Sequence, residues 1–364
     1  MPPLNLLIKP ASGNCNLQCR YCFYRDESRN RAQGNCGMMS DETMGLIVKK
    51  AFDAAERFCT FGFQGGEPML SGLPFFERTI SLQKEYAPPG LAVENLLQTN
   101  GTLMDDKWAA FFAENHFLIG LSLDGPARLH DQNRRTLNGR GSFDQVMRAA
   151  HLLKKYDVPF NTLTVVTAQT ARNIRSVYPF FVEHGFTYQQ YIPCLDPIGE
   201  ARGKERYSLT PELYGDFLKA LFDLWYASCE KGEFVYIRYF DNLIRLLQGR
   251  RPETCAMAGV CAPQYAFEAD GSVYPCDFYM TDPYCLGNIR DSGFADIHVR
   301  RMEMGFTRPD RVIPEKCRKC EYGAVCRRGC RRDRGDDGIN YFCEAYRDFF
   351  AYALPRLLDM ARTP

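Results

Sequence analysis

Long apolar runs are absent from this chain. No stretch of about 18 uninterrupted apolar residues occurs anywhere, so no membrane-spanning helix is expected. The start, Met1-Pro2-Pro3-Leu4-Asn5-Leu6-Leu7-Ile8-Lys9-Pro10, lacks a basic stretch followed by a long apolar one. No secretory leader is therefore expected, and the expected location is cytoplasmic. An excess of charge of one sign is lacking too. With 45 Lys+Arg against 44 Asp+Glu the net charge is +1, which makes no electrostatic case for nucleic acid or an anionic membrane as partner. No low-complexity tract occurs. What the chain holds in quantity is cysteine, sixteen in 364 residues. In a compartment that keeps thiols reduced, that number argues for metal ligation rather than a disulfide framework.

The thiols fall into two arrays. Cys15-x3-Cys19-x2-Cys22 follows the apolar run Leu4 to Ile8. Three ligands are one too few for a closed tetrahedral zinc site or for a 4Fe-4S cube that only carries electrons. A cube held by three thiolates leaves one iron open, while a zinc knuckle or a disulfide-bearing loop is the plainer alternative. The second array reads Cys255-x5-Cys261, Cys261-x9-Gly271-x4-Cys276, then Cys317-x2-Cys320-x5-Cys326-x3-Cys330-x12-Cys343. Eight thiols make two complete sets of four, enough for two closed 4Fe-4S clusters or for two structural zinc ions. Spacing defines the ligand set better than its pairing. Cys36, Cys59, Cys194, Cys229 and Cys285 remain; most are expected to be small buried hydrophobes, with Cys36 and Cys194 in loops near the active face.

From Leu4 to about Ile192, short apolar runs alternate with helical periodicity, the pattern of repeated βα units on a parallel sheet. The expected strands are Leu4–Ile8, Phe61–Gln64, Val93–Gln98, Leu118–Leu123, Phe160–Val166 and Tyr188–Ile192. Ser40 can cap a helix with Met44, Ile47, Ala51, Ala55 and Phe58 on its apolar face. Further amphipathic segments lie near Lys107–Glu114, Phe143–Tyr156 and Ile174–His184, and Thr210-Pro211 starts a longer helix. Six βα units read as a partial (β/α)6 barrel with its chemistry at strand C-termini. A doubly wound open sheet has the same periodicity. Cysteine density rises beyond about Ile237, which divides the chain into residues 1–236 and 237–364. The last segment, Tyr341 to Met360, is expected to be helical up to Pro355, where it should kink or stop.

Candidate chemistry sits in the strand-end loops. Gln64-Gly65-Gly66-Glu67-Pro68 offers glycines whose backbone can approach a ligand with free N–H groups. Gln98-Thr99-Asn100-Gly101 is an Asn-Gly turn. Ser122-Leu123-Asp124-Gly125-Pro126 precedes His130-Asp131-Gln132-Asn133-Arg134; Arg134 can fork onto a carboxylate, Ser122 can bond a hydroxyl or amino group, and His130 is expected to be structural. Asp277 directly follows Cys276, so a carboxylate is held next to one of the eight thiols.

The C-x3-C-x2-C loop, with aromatic Tyr21 before its last cysteine, resembles the signature of the radical S-adenosylmethionine (radical SAM) enzymes. The resemblance implies that Cys15, Cys19 and Cys22 hold a 4Fe-4S cluster whose open iron chelates SAM, giving a 5'-deoxyadenosyl radical. It further implies that Gly66, Glu67, Ser122, Arg134 and Leu195, with Tyr21, form the SAM site. The second array is similar to the SPASM domain, and by that family's pairing Cys255, Cys261, Cys276 and Cys330 hold one auxiliary cluster while Cys317, Cys320, Cys326 and Cys343 hold the other. The implied fold is α/β, a partial (β/α)6 TIM-like radical SAM barrel with a C-terminal cysteine-rich SPASM domain. The stretches L-L-I-K-P-A, F-Q-G-G-E-P, L-Q-T-N-G-T, C-L-D-P, I-R-Y-F-D and V-Y-P-C-D-F-Y extend the resemblance to the anaerobic sulfatase-maturating enzymes over nearly the full length. From it follow several expectations. The reaction is oxidation of a sulfatase Cys or Ser to Cα-formylglycine, with Asp277 as base and Tyr24 and Gln64 lining the substrate channel. The partners are an unfolded or nascent sulfatase polypeptide bearing C/S-x-P/A-x-R and an electron donor such as flavodoxin or ferredoxin, with the enzyme a monomer. A SPASM maturase of a ribosomally made peptide would use the same clusters, and an iron-sulfur electron carrier would have no use for the open iron.

Overall fold

The computed structural model describes residues 4–309 and 312–362. Among them nine strands occur: β1 (Leu4–Ile8), β2 (Phe58–Phe63), β3 (Ala92–Thr99), β4 (Leu118–Ser122), β5 (Phe160–Val166), β6 (Tyr188–Pro193), β7 (Tyr236–Ile237), β8 (Tyr265–Phe267) and β9 (Val273–Tyr274). The six expected strands are all present. The helix capped by Ser40, whose Oγ accepts the Thr43 N–H at 3.1 Å, ends at Ala54. Phe58 therefore opens β2 instead of lying on the helix face, because the chain turns extended at Ala55.

The chain divides into two compact units. The first gathers residues 4–123, 131–160 and 263–306. Its strands run in the order β4-β3-β2-β1-β8-β9, parallel except for the β8–β9 hairpin. Phe61, Phe63, Phe76, Phe112 and Phe117 form its aromatic core and are almost wholly buried. Each such ring contributes about 1.5–3 kcal/mol by leaving water. Residues 265–267 of the cysteine-rich segment pair with β1, Leu6 opposite Tyr265 and Ile8 opposite Phe267. The second edge of β1 is thereby closed, and the antiparallel β9 leads directly to Cys276 and Asp277.

The second unit comprises residues 124–130, 161–262, 307–309 and 312–362. β5, β6 and β7 lie side by side and parallel. Two long helices, Pro211–Glu230 and Cys343–Arg362, pack on each other. Thr210 caps the first, with Pro211 at its first turn, as the sequence leads one to expect. The last helix does not stop at Pro355 but runs through it to Arg362. A proline inside a helix removes one hydrogen bond, and here burial of Phe349, Phe350, Ala353 and Leu357 on the opposite side holds the helix together. Among the described residues no helix is long and apolar enough to cross a membrane.

Candidate active site and cluster loops

The three-thiol loop leaves β1 and is zipped to a second loop of the first unit. The Gln18 N–H donates to the Arg135 carbonyl at 2.8 Å and the Arg20 N–H to the Asn133 carbonyl at 3.2 Å. That pairing sets the Arg134 guanidinium 5.5 Å from the centre of the Tyr21 ring, both residues being buried. Two donors already face the Cys15 sulfur, the Leu17 N–H at 3.4 Å and Asn100 Nδ2 at 3.7 Å. Burial, with Glu67 nearby, pushes the free Cys15 thiol up to about 11. Such a thiol stays protonated until a positive charge draws off the proton, as a metal centre does.

Gly66 approaches the chain's own backbone. A Cβ there would collide with the Asn14 carbonyl oxygen, and the Gly66 and Glu67 N–H groups donate to the carbonyls of Ser12 and Asn14 at 2.9 and 2.8 Å. These N–H groups are therefore not free, because they strap the Gly-Gly-Glu loop beneath the cysteine loop. Buried Glu67 accepts from Thr99 Oγ1 at 2.7 Å, the Asn100 N–H at 2.8 Å and the Met69 N–H at 3.1 Å. Burial raises its carboxyl to about 7 against those three donors. Ser122 Oγ accepts from Gln98 Nε2 at 3.0 Å. His130 is buried and its Nδ1 accepts the Asp124 N–H at 3.3 Å, a structural role. Leu195 is half-buried just beyond β6, in the second unit.

Asp277 is brought into play by the β8–β9 hairpin. Gly271 supplies its turn at φ +89°, where a Cβ would press on Asn288 and Ile289, which accounts for the glycine within the C-x9-G-x4-C spacing. After β9 come Cys276 and a short turn, Asp277–Tyr279. The Asp277 side chain is buried, 6% exposed. Its Oδ2 accepts from Tyr24 Oη at 2.8 Å and from Gln64 Nε2 at 2.6 Å. Its Oδ1 is buried and accepts no hydrogen bond among the described residues. Burial raises the Asp277 carboxyl above its ordinary range, opposed by Lys9 and by the bonds from Tyr24 and Gln64.

A layer of buried charge lies behind this carboxylate. Lys9 Nζ stands 3.7 Å from Glu27 Oε2 and 3.8 Å from Glu268 Oε2, and Arg31 Nη2 stands 2.5 Å from the same Glu268 oxygen. Burial would lift Glu268, but Lys9 and Arg31 outweigh it and hold the carboxyl below its usual value. Glu27 has Lys9 as its main cation, and burial pushes it to about 8. Sequence reading missed all four residues. A lysine at the end of a buried strand, between Ile8 and Pro10, was the available signal.

In the second unit, Cys317, Cys320, Cys326 and Cys343 line one cavity of about 780 Å³. Burial, reinforced by Cys343, Cys320 and Cys317, raises Cys326 to about 11. Cys330 is raised to about 12 by burial, with Asp333, Cys255 and Cys261 adding to it. Among the described residues no three Cys, His, Asp or Glu side chains converge on a single metal-ion position. The donor set is all thiol and the cavity exceeds the needs of one ion, so these loops fit a larger iron-sulfur group. Of the five remaining cysteines only Cys59 and Cys194 are buried; Cys36 and Cys229 are half-buried and Cys285 is exposed, fewer buried than expected because the last three stand in loops or at a helix end.

The fold and the thiol loops define an iron-sulfur radical enzyme. The Radical SAM superfamily model matches residues 10–180, and the SPASM iron-sulfur cluster-binding domain matches residues 260–321. A cysteine-type anaerobic sulfatase-maturating enzyme of Clostridium perfringens is 47% identical over 99% of both chains. A serine-type enzyme of Bacteroides thetaiotaomicron is 33% identical, covering 97% of this chain and 90% of its own. The solved structure of native anSMEcpe with bound AdoMet and Cp18Cys peptide matches 99% of both chains with a TM-score of 0.94 and 46% identity. The chain belongs to the anaerobic sulfatase-maturating enzymes, with the radical SAM TIM-like α/β fold and a C-terminal SPASM domain.

Proposed function

We propose that this chain oxidises a cysteine of a sulfatase polypeptide to Cα-formylglycine. The observation that carries the proposal is the Asp277 carboxylate, with one oxygen clamped by Tyr24 and Gln64 and the other buried without a hydrogen bond. Cysteine is favoured over serine because identity is higher to the cysteine-type relative than to the serine-type one.

Cys15, Cys19 and Cys22 would hold the SAM-binding 4Fe-4S cluster, with Tyr21, Gly66, Glu67, Ser122, Arg134 and Leu195 as SAM contacts. The other ligand sets follow the family pairing, Cys317, Cys320, Cys326 and Cys343 for one auxiliary cluster and Cys255, Cys261, Cys276 and Cys330 for the other. We assign residues 1–236 to the radical SAM part and 237–364 to the SPASM part. When bound, these groups would supply abstraction of one Cβ hydrogen atom from the substrate cysteine and an acceptor for the electron the substrate then loses. Asp277 Oδ1 takes the proton that must leave with that electron, giving a thioaldehyde that water converts to the aldehyde with loss of hydrogen sulfide. Tyr24 and Gln64 orient the carboxylate through Oδ2, so that the reactive oxygen needs no reorganisation. A flavodoxin or ferredoxin is the proposed electron donor, a monomer the proposed state and the cytoplasm the proposed location.

The test is anaerobic incubation of the reconstituted protein with SAM, dithionite and a peptide bearing C-x-P/A-x-R, followed by mass spectrometry. Loss of hydrogen sulfide with stoichiometric 5'-deoxyadenosine is the expected result. SAM cleavage without any change in the peptide would overturn it in favour of another peptide substrate.

A further inference from the structure

Lys9 lies where both arms that hold Asp277 meet. Its ammonium stands 4.7 Å from the centre of the Tyr24 ring, and Tyr24 Oη donates to Asp277 Oδ2. Its aliphatic stem runs under the loop that carries the other donor, Gln64. At Gly65, which has φ +119°, a Cβ would sit 2.9 Å from Lys9 Cγ and 3.0 Å from Lys9 Cβ. Gly65 thus leaves room for this stem as well as for its own left-handed turn. Only 1% of Lys9 is exposed, so water does not solvate the ammonium. Glu27 and Glu268 lie 3.7 and 3.8 Å away, beyond a short direct bond, and the Lys9 N–H is tied to the Phe267 carbonyl at 2.9 Å. A buried cation held between the carboxyl groups of Glu27 and Glu268 and pressed on an aromatic face has little freedom, and neither has the ring.

We propose that Lys9 is a positioning residue for the reaction, fixing the Tyr24 ring and the Gln64 loop so that Asp277 Oδ2 stays clamped and Oδ1 stays turned to the substrate. The inference rests on the reading of Asp277 as base. Lys9 touches neither substrate nor SAM in this role. Its loss therefore uncouples the two halves of the turnover: SAM is still cleaved, but fewer cleavage events end in aldehyde.

The test uses the reconstituted holoenzyme with Lys9→Met and with Lys9→Met/Glu27→Gln. The double variant replaces the buried acid that would otherwise lose its cation by a neutral amide, while Glu268 keeps Arg31, and it is the variant read where the single one fails to fold. Two quantities are read: 5'-deoxyadenosine formed per aldehyde, and the fluorine NMR signal of 3-fluorotyrosine placed at position 24. The expected result is SAM cleavage within about twofold of wild type, a ratio raised at least about fivefold, and a shifted or broadened fluorine signal. Lys9→Arg, which keeps a cation, should recover most of the coupling. An unchanged ratio and an unchanged fluorine signal in the double variant would overturn the proposal. If Asp277→Asn leaves the ratio alone while Lys9→Met moves the fluorine signal, the base reading falls and the positioning of Tyr24 stands.

Discussion

The three-thiol loop of the first unit and the four-thiol loop of the second use the same side chain in contrasting surroundings. Around Cys15 the neighbours are strand ends and buried polar groups: Asn100 and the Leu17 N–H face the sulfur, and Glu67 is held by three donors nearby. Around Cys317 and Cys320 the chain makes single helical turns, Glu315–Arg318 and Gly323–Cys326, among solvent-facing ion pairs such as Lys316–Glu344 and Lys319–Glu315. On the ligand sets proposed above, the loop that would leave one coordination place open follows a buried strand, where position is well defined. The loop that would fill every place can be built from short turns, because a group it closed on would supply much of its order.

The largest expected effect lies on the open side of this comparison. Cys15→Ala should abolish 5'-deoxyadenosine formation, read by chromatography after dithionite reduction, down to the protein-free control. Persistent SAM cleavage would break the distinction between the two loops. Next, Asp277→Asn should lower aldehyde yield by about 10²-fold or more while SAM cleavage changes far less, and Tyr24→Phe should cost about tenfold by removing one bond to the carboxylate. Cys317→Ala tests the closed side: about four fewer irons per chain are expected by chemical iron analysis, with SAM cleavage retained.

Smaller effects probe stability. The Glu27 carboxyl is raised from its ordinary 4.5 to about 8, chiefly by burial and against the pull of Lys9. Between those values the folded chain keeps a proton that the unfolded chain has released, so this group's contribution is greatest at low pH and is lost as pH rises toward 8. Glu27→Gln should therefore flatten the fall in melting temperature between pH 5 and pH 8, by about 1–3 °C in differential scanning fluorimetry. An identical pH profile would remove the buried layer's electrostatic role. Last, exposed Pro355 interrupts the hydrogen bonding of the final helix in the second unit. Pro355→Ala should raise the melting midpoint by about 1–2 °C without touching either thiol loop.

Part of the candidate site was legible in the residues themselves. Cysteine spacing is short-range information, and the strand-end positions of Gly66 and Ser122 follow from apolar runs alternating with helical periodicity. Asp277, by contrast, was legible only as the residue after Cys276, and the strands β8 and β9 before it were not expected. The helix stops were less legible, since Phe58 satisfies helical spacing and yet belongs to β2, and since buried aromatics carry the last helix past Pro355.

The amino-acid order alone determined the spacing of the thiols, the parallel strand-helix repeat and the carboxylate next to Cys276, because each depends on neighbours within a few dozen residues. Only the tertiary structure decided that β8 would pair with β1, that Gln64 and Tyr24 would meet on one oxygen of Asp277, and that Lys9, Glu27, Arg31 and Glu268 would share a buried layer. All of these contacts except Lys9–Glu27 join residues more than two hundred positions apart, and charge in the interior is tolerated only where folding brings its partners to it.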